Sequence, residues 1–151
     1  MTTLPISEER KKLFASLTEA FNKIAEKTDE YLYSFDKKDF FVFSDSDTRA
    51  KRYQKHYYAF TISVADHLLA ADRLAGELSS LVLRADREMN VDELIILQTV
   101  FEAYLEFKKN SSEYFSSAEK MLSSKSISVS VMMDNAMKFK FSATAIIDKL
   151  N

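Results

Sequence analysis

Two histidines, His56 and His67, are the residues in this chain best suited to proton transfer, phosphoryl transfer or metal binding. Both fall on one helical stretch, eleven residues apart, which is roughly 16 Å along a helix axis. They therefore cannot share a metal ion. No Glu-x-x-His pair of the kind used by di-iron carboxylate bundles occurs. Cysteine is absent, which removes disulfides, thiolate nucleophiles and Cys-ligated zinc. A nucleophilic Ser or Thr needs a base and a group that orients the base. Two histidines with no strand-turn-helix elbow or glycine-rich loop supply no such arrangement. A single glycine cannot build a phosphate cradle. Asp45 and Asp47 could open a calcium loop, but the required glycine and the later bidentate glutamate are missing. The six methionines read as core packing rather than haem ligands. The expectation is a protein that is not an enzyme and holds no cofactor or metal.

The run Asp66-His67-Leu68-Leu69-Ala70-Ala71 loosely resembles the phosphorylated helix of histidine phosphotransfer domains, which are also four-helix bundles. That family places Lys and Gly three and four residues after its histidine, where this chain has Ala70 and Ala71. The resemblance implies a phosphate carried on His67. The position of His67 at the edge of an apolar stripe favours a core-edge histidine.

Two further groups bear on binding. Lys51, Arg52 and Lys55 open the second helix with Arg49 and His56, interleaved with Tyr53, Tyr57 and Tyr58. The three face away from the apolar seam and form a candidate anion contact. Cations at a helix N-terminus oppose its dipole, so they are not there for helix stability. Acids flank the cluster, and the net charge of -2 argues against nucleic acid as a partner. The aromatic run Phe40-Phe41-Val42-Phe43 lies between two polar segments. It reads either as a plug on one end of the bundle or as a loop in which Phe40, Phe41 and Phe43 dock a partner or a membrane surface. The serines from Ser116 to Ser130 crowd the end of the third helix and the following turn and read as loop and N-cap residues, with phosphorylation as the functional alternative.

The elements that must position these residues are helices. One Gly and one Pro in 151 residues leave few turns, and strand-rich domains need many. Hydrophobic residues at 46% and charged residues at 29% fit one domain over 1–151 with a sizeable core. The N-terminus has no signal-peptide run, and no apolar stretch approaches a membrane span of about 20 residues. The expected compartment is the cytoplasm.

A first helix over 8–34 carries Leu13, Phe14, Leu17, Phe21, Ile24 and Tyr31 at helical spacing, with Ser7 as N-cap. A second, capped by Asp47 or Thr48, runs to about residue 85 along Tyr53, Tyr57, Phe60, Val64, Leu74 and Leu78. Ala70, Ala71, Ala75 and Gly76 form a small-residue belt that admits a close neighbour or marks a bend. A third helix over 90–122, opened by an Asn90-x-x-Glu93 capping box, carries two adjacent apolar seams and so packs two neighbours. At residues 108–112 both seams turn polar, which means a break in the helix or a wet layer. A shorter last helix over 128–150 lays Met132, Ala136, Phe139, Ala143 and Ile146 on one face.

The predicted fold is all-α: an antiparallel four-helix bundle with three long helices and one shorter C-terminal helix. Far from the second helix's seam, Tyr58, Ile62, Ala65 and Leu69 repeat in register, which a purely solvated face does not need. The predicted function is a non-enzymatic helical interaction module (adaptor, scaffold, chaperone-like or immunity-type) that self-associates as a dimer. Its partner-binding residues are expected to be Tyr58, Ile62, Leu69, Phe107 and Tyr114. The alternative is a peripheral membrane dimer, similar in outline to the elongated curvature-sensing BAR-type proteins.

Overall fold

The computed structural model describes residues 4–35, 46–124 and 128–151, and the side chains of all of these except 46–49. Four helices follow in order: α1 (Ile6–Ser34), α2 (Ser46–Arg87), α3 (Val91–Ser124) and α4 (Val129–Leu150). No strand occurs among the described residues. Each helix runs antiparallel to the next, and the four close into a ring in which α4 returns to α1. α1 and α3 also approach across the diagonal, whereas the backbones of α2 and α4 stay apart among the described residues.

Local chemistry sets the ends. Pro5, not Ser7, is the N-cap of α1: its carbonyl accepts from the Glu8 and Glu9 N–H groups at 3.0 and 3.1 Å. The ring fixes φ near −55°, and Ser7 falls inside the first turn. α2 begins at Ser46, so Asp47 and Thr48 lie within it rather than before it. It ends in a Schellman motif. The Asn90 N–H donates to the Ala85 carbonyl at 3.0 Å and the Met89 N–H to the Asp86 carbonyl at 3.1 Å. Met89 takes the left-handed position, φ 55°, where glycine is usual. The expected capping box of α3 forms only in part: Asn90 Oδ1 accepts from the Glu93 N–H at 3.4 Å. The Glu93 side chain turns instead to Arg10. Ser128 caps α4 through the Val131 N–H, and the chain is helical from Val129.

The third helix is continuous through residues 108–112. Its buried residues, among them Leu97, Val100, Phe107 and Tyr114, come from both seams, because the wide face meets α2 on one side and α4 on the other. At the polar level Ser111 is buried, while Lys108 reaches sideways to Asp72 of α2. Those polar residues mark an inter-helix tie, not a break.

The core is aromatic at its centre. Phe21 of α1 meets Phe107 of α3 edge-on at 4.9 Å, and Phe107 meets Phe139 of α4 at 5.7 Å. Phe139 stacks on Tyr114 at 5.1 Å and meets Phe60 of α2 edge-on. Partly buried ion pairs tie one end. Arg10 of α1 holds Glu93 through two nitrogens. Arg84 of α2 bridges Glu9, Glu88 and the Leu4 carbonyl.

Ala71 and Ala75 of the small-residue belt are buried, but Gly76 is exposed in an unbroken helix. A Cβ added at Gly76 meets nothing within 4 Å. Gly76→Ala is therefore expected to stabilise the fold by about 0.5–1 kcal/mol, since only the backbone entropy of glycine is at stake. A denaturant melt reads this directly, and a lower midpoint would reveal a close neighbour at that position.

Candidate functional site

Tyr57, Phe60 and Val64 turn inward, so the 100° step between residues forces Tyr58, Ile62, Ala65 and Leu69 outward. Ile62 is 76% exposed, Leu69 66% and Tyr58 49%. The spacing of four, three and four is that of a heptad seam. Other exposed apolar residues do not form such a row among the described residues. On α3, Gln98 and Glu102 interrupt the line through Val91, Ile95 and Leu105. On α4, Met137 and Phe141 stand between Asp134 and Thr144.

Both ends of the α2 stripe are charged. Lys51 and Lys55 extend it toward the N-terminus, with Arg52 beside them, and all three are exposed. The helix dipole, expected from the sequence to oppose these cations, scarcely reaches them. α2 starts at Ser46, so Lys51 already lies beyond the first turn, where the terminal field fades. At the other end the same step leads from Leu69 to Asp72. The Tyr104 hydroxyl donates to Asp72 Oδ1, and Lys108 Nζ lies 3.1 Å from the same oxygen. Asp72 was not among the predicted site residues, although the four-three spacing pointed to it.

Two predicted contacts require correction. Phe107 is 2% exposed and Tyr114 5%, so neither is open to a partner. The second seam of α3 is consumed inside the molecule: Phe107 packs between Phe21 and Phe139, and Tyr114 lies flat on Phe139. Phe40, Phe41 and Phe43 lie outside the described residues.

The histidines serve separate surroundings. His56 Nε2 lies 2.6 Å from Ser34 Oγ and 3.2 Å from the Tyr31 carbonyl oxygen, with the ring against Tyr31 and Phe35. It fastens the end of α1 to the start of α2. His67 is half-buried on α2. Among the described residues no three His, Asp or Glu side chains converge as metal ligands would, and no helix is long and apolar enough to cross a membrane. A shallow groove of about 350 Å³ between α3 and α4 exposes Asn110, Glu113, Ser117, Asn135 and Lys138, with no histidine among its lining residues.

Buried phenols add to the polar content of the core, beside Thr28 and Ser111. The Tyr31 and Tyr57 hydroxyls have no hydrogen-bond partner in bonding geometry among the described residues, although Tyr114 lies close enough to influence Tyr31. Burial pushes Tyr31, Tyr57, Tyr104 and Tyr114 upward. Glu119 adds to the effect at Tyr57, Asp72 at Tyr104 and Tyr31 at Tyr114.

No family model matches the chain, and no curated protein or solved structure is significantly similar to it.

Two outcomes follow from this geometry. Phe107→Ala should cost about 3–5 kcal/mol in a chemical denaturation series, the range for a fully buried ring. A cost near zero would restore Phe107 to the surface. The four phenols have raised folded values, so the unfolded chain ionises first as pH climbs past about 10. Their contribution to stability is thus complete below that pH and is lost above it. A thermal melt followed from pH 8 to 11, with phenolate absorbance, should show flat stability and then a decline in which ionisation and unfolding coincide.

Proposed function

We propose that this chain is a non-enzymatic helical interaction module that works by self-association through the outer face of α2. The observation that carries this reading is the row of Tyr58, Ile62, Ala65 and Leu69, exposed and in heptad register on a helix whose opposite face is already buried. A helix needs one apolar stripe to join its bundle, and a second stripe needs a second surface. An adaptor, scaffold, chaperone-like or immunity-type role is consistent with such a face.

Exposed Lys51, Arg52 and Lys55 beside Tyr58 favour a second reading, in which the same end of α2 meets an anionic membrane surface. Flotation with vesicles containing anionic lipid separates the two, since an adaptor stays with the unbound fraction.

Light scattering coupled to size exclusion tests the main reading. The wild type should be a dimer, and Ile62→Asp a monomer with unchanged helicity, because the Ile62 side chain is exposed in the single chain. A wild-type monomer at all concentrations overturns self-association, and an Ile62→Asp dimer moves the interface elsewhere.

A further inference from the structure

We infer that the occupant of the α2 face is α2 of a second copy, laid antiparallel about a two-fold axis that passes between Ser63 and Val64. This rests on the reading of that face as the working surface and adds its partner and register. The heptad row is longer than its apolar part. Steps of four and three run through Lys51, Lys55, Tyr58, Ile62, Ala65, Leu69, Asp72 and Gly76, none of which points into the bundle core.

In an antiparallel pair of such rows, one register matches every layer from Lys55 to Asp72. Tyr58 meets Leu69 of the second copy, and Ile62 meets Ala65. Lys55 meets Asp72, and Lys51 meets Gly76. Two-fold symmetry repeats each contact, so apolar layers fill the middle and a Lys–Asp pair closes each end. The layers around the axis set a large residue against a small one, which lets the two helices approach.

Other registers fail on charge. A heptad slip in one direction puts Ile62 against Asp72 and leaves Lys55 against Ser79. A slip in the other direction sets Lys51 on Leu69 and Lys55 on Ala65. Parallel pairing stacks Lys51 on Lys51, Lys55 on Lys55 and Asp72 on Asp72. Asp72 can accept the second lysine: its side chain is 43% exposed despite its contacts with Tyr104 and Lys108.

The chain has no cysteine, so introduced thiols report on this geometry without background. Tyr58→Cys and Leu69→Cys are made as separate single variants, then oxidised alone and as a mixture. In the inferred register like positions lie eleven residues apart, roughly 16 Å along the axis, too far for a disulfide. The expected result is a covalent dimer in the mixture and none in either variant alone. Self-linkage of each single variant means parallel pairing and overturns the register while leaving the α2 face in use. No linkage in any sample, with a wild-type dimer that Ile62→Asp dissociates, also overturns the register but keeps the face. A wild-type monomer ends both.

Charge exchange gives a second readout. Lys55→Glu and Asp72→Lys should each weaken dimerisation by about tenfold or more, and the double variant should recover most of the loss. Asp72→Lys also removes contacts to Tyr104 and Lys108, so its helicity and melting are followed alongside. If the double variant is no better than the singles, the Lys55–Asp72 pairing is wrong.

Discussion

Phe139 is the point at which the bundle is joined. Its ring lies against Tyr114 and Phe115 of α3 and Phe60 of α2, and Phe107 carries the contact on to Phe21 of α1. One cluster thus includes a residue from every helix, and through Phe60 and Phe139 it joins α2 to α4, whose backbones stay apart among the described residues. Aromatic rings are large and rigid, and edge-on or offset contacts are directional. The cluster therefore fixes the rotation of each helix about its own axis as well as its distance from the others.

That rotation determines what the outside of α2 presents. With Phe60 and Tyr57 held inward, residues 58, 62, 65 and 69 have nowhere to go but outward. The ion pairs at the opposite end play a different part. Arg10 with Glu93, and Arg84 with Glu9, set the register of α1, α2 and α3. Partly buried and carrying more than one hydrogen bond each, Arg10 and Arg84 exceed ordinary surface pairs in directional value. The packed inner faces and the tied end together make α2 a rigid rod. A rod with a fixed exposed stripe is well suited to recognising a matching surface without paying for a large rearrangement.

Much of this was legible in the residues themselves. The scarcity of Gly and Pro, the helical spacing of the apolar residues and the short connections led to four antiparallel helices, with ends within a few residues of those observed. The outward position of Tyr58, Ile62 and Leu69 also followed from periodicity alone, because angles around a helix depend only on residue number. Phe107 and Tyr114 could not be placed in this way. Periodicity shows that α3 has two apolar seams but not whether both neighbours lie within the same chain, and here α2 and α4 occupy both. The N-cap at Pro5 and the Arg10–Glu93 pair were likewise out of reach, since each depends on where a backbone carbonyl or a distant side chain comes to rest.

The sequence by itself determined the helices, their amphipathic faces and the absence of cysteine chemistry, all of which are local or compositional properties. Only the tertiary structure decided that α3 runs unbroken past residue 110, that Lys108 and Tyr104 converge on Asp72, and that the second seam of α3 is core. The physical reason is the same in each case. A side chain's periodic position states which way it points from its own helix, while burial depends on what stands opposite, and that is settled by four helices packing at once.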